Sequence, residues 1–282
     1  EHAWKSVEDP VRYANETPIA TGPFTEVRVF RNQVYELGRN PYYWQKGKPA
    51  VRALRFPAYP SNDRANLALV FDEVDWAGNF IPAIDRVYVK RAPTNHAYWF
   101  PCTAGSIFLY TNTTRAPLSD VRVRKALSKA IDRDQINKAF LANKGLPMLL
   151  SHFHPTRQGW NPDWEKRFQE EYGYDVAAAK KLLAEAGQSN LKTTMLVSPV
   201  AGLSGGEDLA EAVAGYLRAV GITVDMQTID PAEFVNKRKL LGFQNQIGFA
   251  ATGSNIWSGY TIWNSALATR GMYESMKVNH VL

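Results

Sequence analysis

Five residues form the sharpest candidate for chemistry. Gly202-Leu203-Ser204-Gly205-Gly206 matches the G-x-S-x-G of a nucleophile elbow, in which a serine hydroxyl stands exposed between a strand and a helix. Asp225, Asp230 and His280 follow in the chain order of a hydrolase triad, so a serine hydrolase using Ser204 is the alternative enzymatic reading. An elbow, however, needs its serine on a tight turn directly after the strand. Here Ser198-Pro199-Val200-Ala201 intervenes and His280 lies in a tail, which favours an ordinary glycine loop.

Other reactive residue types are sparser. His152 and His154 flank Phe153, and on a strand both rings would face one side at metal-ligand reach. Two ligands are not a site, and Pro155 makes the segment a loop. Asp132-Arg133-Asp134 lacks the glycine and terminal glutamate of a calcium loop and reads as a helix junction with local ion pairing. Glu165, Glu170 and Glu171 could be imagined as a glycosidase pair, but surface helix positions explain them better. Cys102 has no basic neighbour to activate its thiol. The expectation is a protein without catalytic residues, metal or cofactor.

The aromatic residues are the remaining signal, at 12% of the chain with eight Trp. Tyr42-Tyr43-Trp44, Tyr98-Trp99-Phe100, and Trp257 with Tyr260 and Trp263 cluster in segments that read as loops. Such rings can be core packing, or a stacking wall for sugar rings or apolar side chains. With Thr252, Ser254 and Asn255 as hydroxyl and amide neighbours, the third set suits a binding cleft more than a catalytic centre.

Composition narrows the class further. At 282 residues the chain can bury a sizeable core, and 45% hydrophobic with 21% charged residues is globular usage. One cysteine excludes a disulfide framework or a Cys-rich zinc site. The net charge of +6 is scattered, densest at Arg122-Val123-Arg124-Lys125 and Lys237-Arg238-Lys239. Neither run is interleaved with aromatics, so no nucleic-acid partner is expected. No apolar run approaches a membrane span, and no signal segment stands in this chain.

The elements that must position these residues change character along the chain. The first part is strand-rich: Phe24 to Val29 and Val34 to Leu37 pair through an Asn32-Gln33 turn, and Arg52 to Phe56, Val87 to Lys90 and Ser106 to Tyr110 follow. Asn62 or Asp63 would cap a helix over Arg64 to Phe71. From Ser119-Asp120 helices and strands alternate. The helices begin at Asp120, Asp175, Glu207 and Asp230-Pro231, and the strands are Leu191 to Val197, Ile222 to Ile229 and Ile247 to Ala250.

Several stretches together resemble one family, the family 5 solute-binding proteins of ABC importers, the oligopeptide/dipeptide-binding group. His2-Ala3-Trp4-Lys5-Ser6-Val7-Glu8-Asp9-Pro10 is similar to its H-x-W-x-x-V-x-D-P lead-in. Thr21-Gly22-Pro23-Phe24, Arg39-Asn40-Pro41-Tyr42-Tyr43-Trp44 and Glu73-Val74-Asp75-Trp76 resemble later motifs, with Asp72 where glycine is usual. The most specific block runs from Pro117 through Asp120-Val121-Arg122-Val123-Arg124 to Ala130-Ile131-Asp132-Arg133. Asp175 to Gly187 and Tyr216 to Val224 complete the order.

The resemblance implies an α/β fold of the periplasmic-binding-protein type II class: two lobes, mixed sheets flanked by helices, here incomplete at both ends. Residues 1–111 would be part of lobe I and residues 112–282 most of lobe II, with a hinge at Tyr110, Thr111 and Asn112. It implies an extracytoplasmic monomer, periplasmic or lipid-anchored, that closes on a ligand and delivers it to a membrane permease. Peptide-binding members usually place an aspartate after the strand matching Gly248-Phe249 to pair the peptide amine. Here Gly248 to Trp257 holds no acid. A buried ammonium without a counter-charge is strongly disfavoured. The ligand residues are therefore expected to be Trp76, Asn79, Phe80, Trp99, Phe100, Phe249, Thr252, Ser254, Asn255, Trp257 and Tyr260, with a lean towards a short oligosaccharide over an oligopeptide.

Overall fold

The computed structural model describes residues 7, 19–81, 83–98, 106–147, 160–199, 203–239, 242–252 and 278–280. The chain divides into two compact units, Glu1–Ala68 and Leu69–Leu282. This is a division by packing, and the two lobes, residues 1–111 and 112–282, stay an expectation. Strand β4 (Ser106–Asn112) pairs with β7 (Gln246–Thr252).

In the first unit, β1 (Phe24–Arg31), β2 (Val34–Arg39) and β3 (Ala53–Pro57) form an antiparallel sheet in that order. The Asn32-Gln33 turn sits between β1 and β2 as the sequence suggests, with Arg31 opposite Val34. Helix α1 (Asn62–Val70) follows. Its first-turn amides look back one residue further than expected: Arg64 N–H donates to the Ser61 hydroxyl at 3.2 Å, so Ser61 serves as the side-chain cap.

The second unit is a three-layer structure. Its five-stranded sheet runs β6 (Thr223–Thr228), β5 (Lys192–Val197), β7, β4, β8 (Val278–His280). β5 is parallel to both β6 and β7, whereas β4 is antiparallel to β7 and β8. Alternate residues serve opposite faces. Leu109, Met195, Val197, Ile247 and Phe249 join the main core with α3 (Val121–Ala130), α6 (Val176–Glu185) and α7 (Gly206–Ala219). Phe108, Tyr110, Leu196 and Ala250 turn the other way, onto Phe234 of α8 (Pro231–Lys239) and Phe243. A sheet buried on both faces explains its long apolar runs.

The helix starts follow capping chemistry. Asp120, Asp132 and Asp175 each accept a first-turn N–H, at 2.8, 2.9 and 2.9 Å. Asp230 does the same for α8 beside Pro231 at the first helical position. Asp132 thus opens α4 (Arg133–Leu141), the junction expected there, but Arg133 turns away from the carboxylates. Its guanidinium donates to the Ser128 carbonyl and hydroxyl and lies over the Phe168 ring of α5 (Asp163–Tyr172).

Two expectations fail locally. Val87 to Lys90 is no strand: α2 (Ile84–Val87) and a 3-10 turn (Val89–Arg91) occupy it. The amides of Val87 and Tyr88 bond to Ala83 and Ile84 carbonyls, so the backbone is satisfied within the segment. A run of four residues is too short for periodicity to separate helix from strand. The tail around His280 also forms an edge strand against Tyr110–Asn112.

Candidate functional site

The parallel strands β5, β6 and β7 end together on one side of the sheet. Backbone bonds hold those ends level: Ile229 N–H donates to Val197 O at 2.9 Å and Ser198 N–H to Phe249 O at 3.0 Å. Thr252 closes β7 opposite Ser106. In open α/β sheets this carboxyl edge is where ligands bind, because the strands stop and the loops diverge.

The sequence-distant segment Trp76–Phe80 ties into the loop that follows β5. Phe80 makes a parallel bridge with Leu203, and its ring packs on the main core that Leu203 joins. Trp76 remains 65% exposed. Its ring lies over Gly78, where an added Cβ would sit 3.6 Å from the indole. Asn79 and Phe80 are half-buried. The segment is anchored from below: Val74 and Ala77 pack on a small core of Leu69, Ile81 and Tyr88.

The remaining expected residues distribute as follows. Thr252 takes its place at the strand end. Phe249 is 1% exposed inside the main core, on the face of the strand that meets the helices. Trp99, Phe100, Ser254, Asn255, Trp257 and Tyr260 lie outside the described residues, as do His152, His154 and Cys102. Tyr110, Thr111 and Asn112 are fully buried between β7 and β8. The Asn112 amide donates to Phe243 O at 3.0 Å, and its oxygen accepts from Thr114 N–H and hydroxyl. Residues bonded on both sides hold the sheet together, and a hinge at these three positions stays an expectation.

Ser204 does not stand on an elbow. β5 ends at Val197, and the left-handed backbone falls on Gly205, with φ +74°, one residue after the serine. The turn leads into α7 and carries Leu203 to its bridge with Phe80. Asp230 is engaged as a helix cap. Of the three glutamates compared with a glycosidase pair, Glu170 and Glu171 are ion-paired: Glu171 meets Lys125 at 3.2 Å and Arg167 at 3.3 Å, and Glu170 faces Lys166. Hydrogen bonds from Lys125 and Arg167 hold the Glu171 carboxyl below the usual carboxylate range. Among the described residues, no group of three His, Cys, Asp or Glu comes together to hold a metal.

The Phe80–Leu203 bridge was not legible from the motif, because G-x-S-x-G carries the same letters whether its serine reacts or merely turns. A second unanticipated cluster surrounds Tyr88 of the small core. His96 stacks on Tyr88 with ring centroids 4.0 Å apart, and its Nε2 stands 3.2 Å from the Asp72 carboxylate. Its one sequence signal was Asp72 itself, an acid where the related motif carries glycine.

The profile of bacterial extracellular solute-binding proteins, family 5 (the middle portion) matches residues 2–273. The chain belongs to this family. It is 31% identical over 216 residues to the periplasmic oligopeptide-binding protein OppA of Salmonella typhimurium, covering 73% of this chain and 38% of that protein. Family 5 members also supply its fold neighbours. A periplasmic oligopeptide-binding protein from Thermotoga maritima, solved with mannohexaose, superposes with a TM-score of 0.73 at 20% identity, covering 94% of this chain and 54% of the other. The binding protein MoaA from A. tumefaciens R10, in complex with mannopinic acid, gives 0.72 at 24% identity, covering 98% and 54%. The fold is therefore that of type II periplasmic binding proteins. The chain spans well under two thirds of each of these proteins.

Proposed function

We propose that this family 5 chain is the ligand-capturing part of an extracytoplasmic binding protein of an ABC importer, and that it takes a short, neutral, hydroxyl-rich oligosaccharide. The observation that carries the ligand class is the stretch from Gly248, within β7, to Trp257, which holds no acid. A zwitterionic peptide held there would leave its ammonium unpaired, a cost of several kcal/mol where water is excluded. A sugar makes no such demand. Its C–H face stacks on an exposed ring such as Trp76, and its hydroxyls meet amides and hydroxyls of the kind offered by Asn79. The family fold accommodates such a ligand, since one neighbour was solved with a mannose chain.

In this reading the ligand favours a closed arrangement only through its greater affinity for that arrangement, and the closed form is then delivered to the permease. No bond of the ligand is broken.

The 31% identity to an oligopeptide-binding protein favours a second reading, a peptide ligand. Isothermal calorimetry with cellobiose, cellotriose and mannotriose against trialanine separates the two. The expected result is heat with a sugar and none with the peptide. Heat with trialanine and none with the sugars replaces the sugar by a peptide. Trp76→Ala should weaken the bound sugar about tenfold, the loss of one stacked ring.

A further inference from the structure

We infer that the Leu203–Gly205 turn positions the ligand site: it fixes the Trp76–Phe80 segment, and with it the Trp76 ring, against the sheet. The G-x-S-x-G stretch then serves backbone shape and breaks no bond. The role in binding rests on the ligand reading above; the fixing of the segment does not.

Trp76 does not hold its own place. Its ring is 65% exposed, and among the described residues it is packed on no core. Its near neighbour is Gly78, where an added Cβ would sit 3.6 Å from the far edge of the indole. The direction of the ring is therefore set by the backbone of its own segment.

That backbone has two anchors. On one side Val74, Ala77 and Ile81 pack in the small core with Leu69 and Tyr88. On the other, Phe80 packs on the main core and makes its parallel bridge to Leu203, which is 9% exposed in that core. The second anchor is the one that ties the segment to the carboxyl edge of the sheet, because Leu203 stands in the connection from β5 to α7. A side chain enclosed in a close-packed core holds its backbone in place.

The turn makes its conformational demand at one residue. Gly205 has φ +74°, and its carbonyl accepts from Leu209 N–H at 3.0 Å, which locks the turn to the start of α7. Leu209 is 2% exposed in the same main core, so the turn is held at both ends. A Cβ on Gly205 would meet nothing nearer than Asp208 Oδ2 at 3.8 Å. There is room for a side chain, and what opposes one is backbone shape alone. Alanine takes the left-handed conformation under strain, whereas asparagine visits it more readily. Both carry a Cβ, so the pair separates shape from bulk.

The test compares wild type, Gly205→Ala, Gly205→Asn and, as a truncation elsewhere in the main core, Val213→Ala of α7. In the first arm, hydrogen exchange of the intact chain without ligand is read by mass spectrometry on peptides spanning Trp76 to Ile81. Gly205→Ala should exchange there about fivefold faster than wild type, the factor that one strained residue carries. Gly205→Asn should match wild type, and Val213→Ala should lower the urea midpoint without changing these peptides. Unchanged exchange in Gly205→Ala overturns the positioning role, as does equal acceleration in Gly205→Asn or in Val213→Ala. In the second arm, calorimetry should show cellotriose held about fivefold more weakly by Gly205→Ala, and within about twofold of wild type by the other two variants. If wild type binds trialanine and not cellotriose, the same comparison is read with trialanine. Faster exchange with unchanged affinity overturns the role in binding. Binding of neither compound removes the proposed function, and the exchange arm alone then decides whether the turn fixes the segment.

Discussion

Gly248 sits under two phenyl rings. A Cβ there would come within 2.8 Å of Phe234 Cζ and 3.0 Å of Phe243 Cζ, and both side chains are fully enclosed. Rings packed on all sides cannot step back, so Gly248→Ala should cost about 1–3 kcal/mol by overpacking, measurable as a lower urea midpoint. Arg133 is a different case of tight residue chemistry. Burial pulls its guanidinium down to about 10, because the charged form has lost water. A cation held less firmly in the folded state opposes folding at neutral pH, so its bonds to Ser128 and its stacking on Phe168 must offset that. Arg133→Lys keeps the charge but cannot fork to both Ser128 oxygens, and should destabilise by about 1–2 kcal/mol in the same urea series. The motif showed an arginine after an N-cap aspartate, and paired the two. It could not show that the side chain reaches back to α3 and across to α5, since such contacts belong to packing and not to spacing.

At the scale of elements, the legible features were those governed by neighbours in sequence. The aspartates before α3, α6 and α8 were readable as starts because a short carboxylate can reach the first-turn amides wherever it stands there. Gly187 and Gly221 follow α6 and α7 with positive φ, the left-handed stop that glycine allows at a helix end. What stayed hidden needed a distant partner: the edge pairing of Val278–His280 with β4, and the helical fate of Val87. Asp120 allows a test of the local rule. Hydrogen bonds from the Arg122 side chain and backbone hold its carboxyl below the usual range. A depressed acid stabilises only while ionised, so its contribution is present at neutral pH and is lost as pH falls through that lowered value. Asp120→Ala should therefore cost about 1 kcal/mol at neutral pH by loss of the cap. The gap in urea midpoints between wild type and variant should narrow towards about pH 2–3, below the ordinary carboxylate range. A gap that persists unchanged there would mean the cap acts without its charge.

For the whole molecule, the change from strand-rich to alternating sequence near Asn112 marked where helices and strands begin to alternate. The compact units divide at Ala68, because what defines a unit is shared burial, and β4 shares its burial with β7, which follows it by more than a hundred residues. The two units differ sharply in what they bury. Among the described residues before Leu69, Ala68 is the one buried apolar side chain, while Phe30 and Phe56 flank Tyr35 on the sheet with exposures of 66% and 48%. The second unit encloses two clusters, one on each face of its sheet. Opening free energy follows buried apolar contact, and a three-stranded sheet with little enclosed beneath it should open far more often than a sheet covered on both sides. Hydrogen exchange of the intact chain, read by mass spectrometry, should therefore show peptides from β5 and β7 protected at least about 100-fold more than peptides from β1, β2 and β3. Equal protection would show that the first sheet is stabilised by burial other than that of its described side chains, and that the two units open together.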